Sequence, residues 1–222
     1  MVRKMKQRKK ILLFLGGRWH DFSGFAQFMK DLLKPEGFTL ESTYDPARLL
    51  HLPEDDHDLV INYTCFAEPN PEAPLVGSDR LNKEEVTAFS EWVRDGGSLL
   101  SIHASTVLGE SYPDLGRLQG GVFQSHPAPF SFMVYPLAEQ HSITEGIEAF
   151  AVHDEFFLEE FDPVVHIHMV AIDRGKVYPM VWSKSEGRGK VAHIAMGHDA
   201  KVWQEPSYQR LILQAIKWLL AD

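Results

Sequence analysis

Asp95-Gly-Gly-Ser-Leu-Leu-Ser-Ile-His103-Ala-Ser-Thr106 is the stretch that decides the fold. Gly96 and Gly97 supply the permissive backbone that ends a helix and reverses the chain. Ser98 to Ile102 form a short, mostly apolar run, the pattern of a strand covered on both faces. His103 stands where that strand stops. In open α/β sheets, ligands gather outside the carboxyl ends of the strands.

The flanking sequence extends the same pattern. Asn82, with Glu85 three residues on, starts a helix as a capping box, and Val86, Phe89, Trp92 and Val93 form its core stripe. Nearer the N-terminus, Ile11 to Leu15 form a buried strand and Gly16 to Asp21 a loop. A helix then runs to about Leu33 with Phe25, Met29 and Leu32 on one face. Phe38 to Thr43 and Asp58 to Tyr63 are two more strands, with a helical turn or two at Pro46 to Leu50. Cys65 to Arg80 reads as a surface loop. Strand–helix alternation of this kind predicts a parallel sheet with helices on both faces.

Beyond His103 the pattern changes. Phe130 to Tyr135, Ala151 to Leu158, Val164 to Ile172 and Val177 to Trp182 read as strands without long helices between them, with tight turns at Asp173 to Lys176 and Gly187 to Gly189. They predict an antiparallel insert on the sheet's edge. Val191 to Met196 is a last buried strand ending in Gly197-His198-Asp199, and Pro206 starts the final helix.

Residues 1–10 read as a basic, disordered tail and 11–222 as a single domain. The apolar run after the tail is too short for a signal peptide, and none is long enough to span a bilayer. The chain has 22 Lys and Arg, six of them in the tail, leaving 16 against 31 acidic residues. A body this acidic repels phosphate backbones, so neither nucleic acid nor a membrane is the expected partner. The single Cys excludes an internal disulfide and fits a reducing, cytoplasmic location. The oligomeric state is not set by the sequence, and a homo-oligomer stays open.

Three strands lead to a His at their carboxyl ends: His20-Asp21, His103 and His198-Asp199. Ends of parallel strands share one rim, so these should converge. His126 and His153-Asp154-Glu155 lie in the insert. Proton transfer falls to His103, His198, Asp199 and Glu155; His20, Asp21, Asn62, His126, Asp154 and Trp203 are the candidates for holding a ligand. Asp21 can equally cap the first helix, and Trp203 can equally be core. Neutral His and carboxylates suit general acid–base work, and equally a divalent metal such as Zn; the sequence does not separate the two. The lone Gly16-Gly17 pair is no dinucleotide fingerprint, so no nucleotide cofactor is expected. His166 and His168 share a strand face that alternation turns to solvent.

These residues together resemble the trehalose-utilization (ThuA-like) family of the class I glutamine-amidotransferase-like superfamily. The resemblance rests on five pieces in order, from about Ile11 to Leu220: Gly16-Gly17 with His20-Asp21; Gly96 to Ala104; Gly120-Gly121-Val-Phe-Gln-Ser-His126-Pro; His141-Ser-Ile-Thr-Glu-Gly-Ile147 with Asp154-Glu155; and Gly189-Lys-Val-Ala-His-Ile-Ala-Met-Gly-His198-Asp199. It implies an α/β, three-layer, flavodoxin-like sheet and a link to trehalose or related sugars. In working amidotransferases the elbow after the fourth strand carries a catalytic Cys. Here His103 matches that position, which argues against glutamine hydrolysis. The resulting expectation is a sugar-like ligand at a His/carboxylate pocket, with a non-catalytic metabolite-binding module as the alternative.

Overall fold

The computed structural model describes residues 9–221. Most of the basic tail, Met1 to Arg8, lies outside the described residues. Lys10 already belongs to the first strand, one residue earlier than the sequence pattern places it.

The chain begins β1 (Lys10–Gly17), α1 (Phe22–Leu33), β2 (Thr39–Thr43), a 3-10 turn at Pro46–His51, β3 (Leu59–Cys65), α2 (Lys83–Arg94) and β4 (Ser98–Ile102). Then come 3-10 turns at His103–Thr106 and Gly109–Ser111, α3 (Asp114–Gln119), β5 (Gly121–Ser125), β6 (Phe130–Pro136), β7 (Phe150–Asp154) and β8 (Leu158–Phe161). The chain closes with β9 (His166–Asp173), β10 (Lys176–Glu186), β11 (Gly189–Ile194), α4 (Ala200–Trp203) and α5 (Pro206–Leu219). Nine strands form one sheet in the order β2-β1-β3-β4-β11-β10-β9-β6-β7, and β5 and β8 pair separately. From β2 to β11 all neighbours are parallel, and from β11 to β7 all are antiparallel. This is the three-layer α/β sheet with an antiparallel part that the sequence pattern implies.

Alternation along the central strands fills two cores. Ile11, Leu13, Leu15, Ile61, Leu100 and Ile102 face α1 and α5, whereas Leu12, Phe14, Val60 and Leu99 face α2 and α3. Phe25 and Met29 of α1 are fully buried, each contributing roughly 2–3 kcal/mol of transfer free energy. The helix boundaries follow the capping residues. Asp21 Oδ1 accepts from Gly24 N at α1, and the Asn82–Glu85 box closes α2.

Three expectations are corrected. Cys65 is not in a surface loop: it ends β3, is buried, and its neighbour Phe66 bonds back to Val107. Ala151 to Leu158 is not one strand. Asp154 Oδ1 accepts from the next backbone N–H, Glu155 N, and turns the chain, so β7 and β8 join different sheets. His168 does not face solvent. The segment after β6 folds over that face, setting the His141 ring 4.1 Å from the His168 ring with Trp218 beyond it, while His166 stays exposed near Glu139.

Candidate functional site

The site is built at the carboxyl rim of the parallel strands, beside the point between β1 and β3 where strand order reverses. His20 follows β1, His103 follows β4, Glu155 follows β7 and His198 follows β11. One ring nitrogen or carboxylate oxygen from each of the four lies within 4.8 Å of every other. The imidazole centroids are 4.8 to 5.6 Å apart.

Local backbone geometry delivers each group. His103 holds a φ of 46°, a left-handed conformation uncommon for a side chain with a Cβ. That bend lifts the ring off the strand axis to the rim. Its Nδ1–H donates to Ala195 O at 2.8 Å, which leaves Nε2 facing Glu155 Oε2 at 3.4 Å. His20 is tied in the same way: its Nδ1–H donates to Arg18 O, and its Nε2 faces His198 Nδ1 at 3.2 Å. The His198 turn depends on Gly197, whose φ is 137° and where an added Cβ would sit 2.4 Å from Tyr208 Oη.

Asp154 fixes the same turn from beneath. Its carboxylate accepts from Gly197 N at 2.7 Å and His198 N at 3.3 Å. Burial raises its pKa, opposed by the nearby His103 and by the backbone N–H groups of Gly197 and Glu155. Burial also acts to raise Glu155, but the His103 and His198 rings beside it outweigh that and hold it well below the usual carboxylate range. His20 is pushed down to about 3, first by burial and then by its two His neighbours. His198 moves up: burial works against its charged form, but Glu155 beside it wins. The cluster at neutral pH is thus a neutral His20, an anionic Glu155 and a His198 inclined to hold a proton.

A cleft of about 430 Å³ opens above the four, within the usual size range for small-molecule sites. Trp19, Phe123 and Phe157 supply apolar walls and His126 stands at the mouth, its Nε2 3.8 Å from Glu155 Oε1. Trp19 is 47 % exposed and, like His103, has a positive φ. Cys65 also borders the cleft, but burial pushes its thiol up to about 12, so it stays protonated and poorly nucleophilic.

Of the sequence-derived candidates, His20, His126, Glu155 and His198 line the cleft, and His103 lies buried behind Glu155, its Nε2 3.4 Å from Glu155 Oε2. The others do different work. Asp21 and Asp199 cap α1 and α4 through Gly24 N and Lys201 N, so Asp199 is not placed for proton transfer. Trp203 is core: it stacks on Phe28 and donates Nε1–H to Gly197 O at 2.7 Å. Asn62 points to the opposite face of the sheet, where its Nδ2–H donates to Gln119 Oε1. There it joins Ser101 and His193, which the strand registers place in one row across β3, β4 and β11. All three are fully buried.

That row is linked to the rim. Ser101 Oγ bonds Gln119, Ser105 and His193; His193 Nε2 faces Glu159 Oε2 at 3.6 Å; and Thr106 Oγ1 donates to Glu159 Oε1 at 2.5 Å. The network fastens the segment carrying Glu155 to the elbow carrying His103. Sequence reading did not find His193, Glu159, Gln119 or the cleft wall Trp19. The one available signal was a His inside an otherwise apolar strand, Val191 to Ile194.

Comparison with known proteins gives consistent results. Among proteins with curated descriptions, none matches this sequence. The structure is similar to a ThuA-like protein of Parabacteroides merdae, with a TM-score of 0.78, 17 % identity, and 97 % of this chain and 91 % of that one covered. It is also similar to a ThuA-like protein of Bacteroides uniformis, at 0.76 and 17 % identity over 100 % and 96 % of the two chains. Part of a β-galactosidase from Bacillus circulans sp. alkalophilus shares the fold at 0.64 and 13 % identity, covering 95 % of this chain but only 31 % of that one. The profile of the ThuA family, described as trehalose utilisation, matches residues 10–219, and the chain belongs to that family.

Proposed function

We propose that this chain is an enzyme of carbohydrate metabolism that acts on a small sugar-like molecule in the cleft above His20, His103, Glu155 and His198. The convergence of these four side chains from distant segments at the closed end of an aromatic-walled cleft carries the reading. A polyhydroxylated ligand needs acceptors for its O–H groups and an apolar surface for its C–H faces. Glu155 and the bare Nε2 of His20 supply the first, and Trp19 and Phe157 the second. His198, whose proton is favoured by the Glu155 carboxylate beside it, is suited to giving and taking a proton.

No nucleophile takes part in this reading. The elbow position is His103, Ser101 is buried in the strand, and Cys65 is held as a thiol. The sole Cys fits a reducing, cytoplasmic location. The second reading is a module that binds a metabolite without transforming it, favoured by the Nδ1 tether that fixes His103 in place.

The test is a turnover screen of mono- and disaccharides and their oxidised forms with wild type and His103→Asn, run beside thermal-shift binding. Asn tolerates the left-handed backbone, so folding is preserved. Turnover that falls at least about 100-fold in the variant supports the enzyme. Ligand-induced stabilisation without turnover selects the binding module.

A further inference from the structure

Three imidazoles and a carboxylate turn toward one another in the inner cluster. His20 and His103 each spend their Nδ1–H on a backbone carbonyl, so both rings turn Nε2 inward. Glu155 adds a carboxylate. Only His198 Nδ1 can offer a hydrogen, and it lies between two takers, His20 Nε2 at 3.2 Å and Glu155 Oε2 at 3.4 Å. His103 is fully buried, and its Nε2 has no hydrogen-bond partner while a carboxylate oxygen faces it. An unpaired buried nitrogen is costly to leave in a folded protein. A fold that builds it needs something positive at that point.

The spacing says what. A divalent ion held tetrahedrally at about 2.0–2.1 Å from N and O donors sets those donors about 3.3 Å apart. Three of the separations here are 3.2, 3.4 and 3.4 Å. Tying the remote His nitrogen to a backbone carbonyl is also how metal-ligating imidazoles are oriented.

We propose that His20 Nε2, His103 Nε2, His198 Nδ1 and Glu155 bind one divalent transition-metal ion of the zinc class at the floor of the cleft. Three imidazoles and one carboxylate suit Zn²⁺ and its first-row neighbours and are a poor set for Ca²⁺ or Mg²⁺, which prefer all-oxygen shells. The ion would take the lone pairs of His20 and Glu155 that the sugar reading gives to ligand hydroxyls, so the ion and the reaction are tested separately.

The test uses the full chain with any affinity tag removed, purified without chelator. Elemental analysis should find about one ion per chain. After stripping, Zn²⁺ or Co²⁺ should rebind with a Kd of about 1 µM or tighter, and bound Co²⁺ should give the intense visible bands of a tetrahedral site. His103→Ala and Glu155→Gln should each weaken binding at least about tenfold. His198→Gln, at the half-buried rim, should do the same with an unchanged circular-dichroism spectrum, which separates ligand loss from unfolding. The exposed His153→Ala should bind as wild type.

The proposal is overturned if none of Zn²⁺, Co²⁺, Ni²⁺ or Mn²⁺ binds the wild-type chain. It is equally overturned if binding survives in His103→Ala and Glu155→Gln, which would put the ion elsewhere, for instance at His141 and His166. Stoichiometric metal with no sugar turned over would leave the ion and remove the reaction; turnover by a wild-type chain that binds none of the four ions would do the reverse.

Discussion

His20 Nε2 and His198 Nδ1 lie 3.2 Å apart although 178 residues separate them. Neither residue reaches the other through its own element. β1 and β11 are not neighbours in the sheet; β3 and β4 run between them. The contact forms because the chain bends inward beyond each strand end, His20 after β1 and His198 after Gly197. Tyr63 at the end of β3 bridges the gap, its Oη–H shared between Gly197 O and His198 O.

Asp154 is a positioning residue for that contact, and Asp154→Asn tests it. The change keeps the volume but turns one of two acceptor oxygens into a donor, set against the N–H of Gly197 or Glu155. A buried donor facing a donor costs about 1–3 kcal/mol. We expect that loss in denaturant unfolding, together with a lower kcat at nearly unchanged KM, because His198 and not the cleft wall is displaced. Full stability and activity in the variant would show that the turn does not need the carboxylate.

Trp19 is expected to act on the ligand and not on the fold. It is 47 % exposed and borders the cleft. Trp19→Ala should raise KM or the ligand Kd about tenfold, equivalent to about 1.4 kcal/mol, and leave Tm nearly unchanged. An unaltered KM would remove Trp19 from the binding surface.

His168 should make the protein acid-sensitive through a site far from the cleft. It is buried between His141 and Ser183, and its pKa is pushed down to about 3, first by burial and then by His141 and His166. The unfolded chain takes up this proton near pH 6.5, the folded chain only near 3. Its effect is therefore absent above about pH 6.5, and stability falls as pH drops from there towards 3. At pH 5 the loss is at most about 2 kcal/mol. His168→Gln keeps a partner for Ser183 and cannot titrate, so its stability relative to wild type should improve by about 1–2 kcal/mol between pH 7.5 and pH 5. A difference that does not change with pH would mean that His168 protonates freely in the folded state.

Much of this protein is legible in its residues. Gly96-Gly97, the capping box at Asn82 and the apolar runs placed β4, α2 and the parallel half of the sheet. These signals are local: a cap or a strand period depends on residues a few positions apart. The rule that parallel strands end at one rim then carried His20, His103 and His198 to a common place.

Other features could not be read that way. Asp21 and Asp199 look the same in sequence whether they cap a helix or meet a ligand. His168 is buried only because the segment after β6 and Trp218 cover it, and Cys65 only because β3 extends two residues past Tyr63. Glu155 joins the imidazoles because Asp154 breaks the strand there and redirects the chain. The sequence by itself determined the order of elements and the rim where imidazoles would collect, since both follow from short-range backbone preference and strand alternation. Tertiary structure alone decided which carboxylate joins them, which nitrogen of each ring faces inward, and that one of those nitrogens is left unpaired, because each depends on a partner brought in from a distant part of the chain.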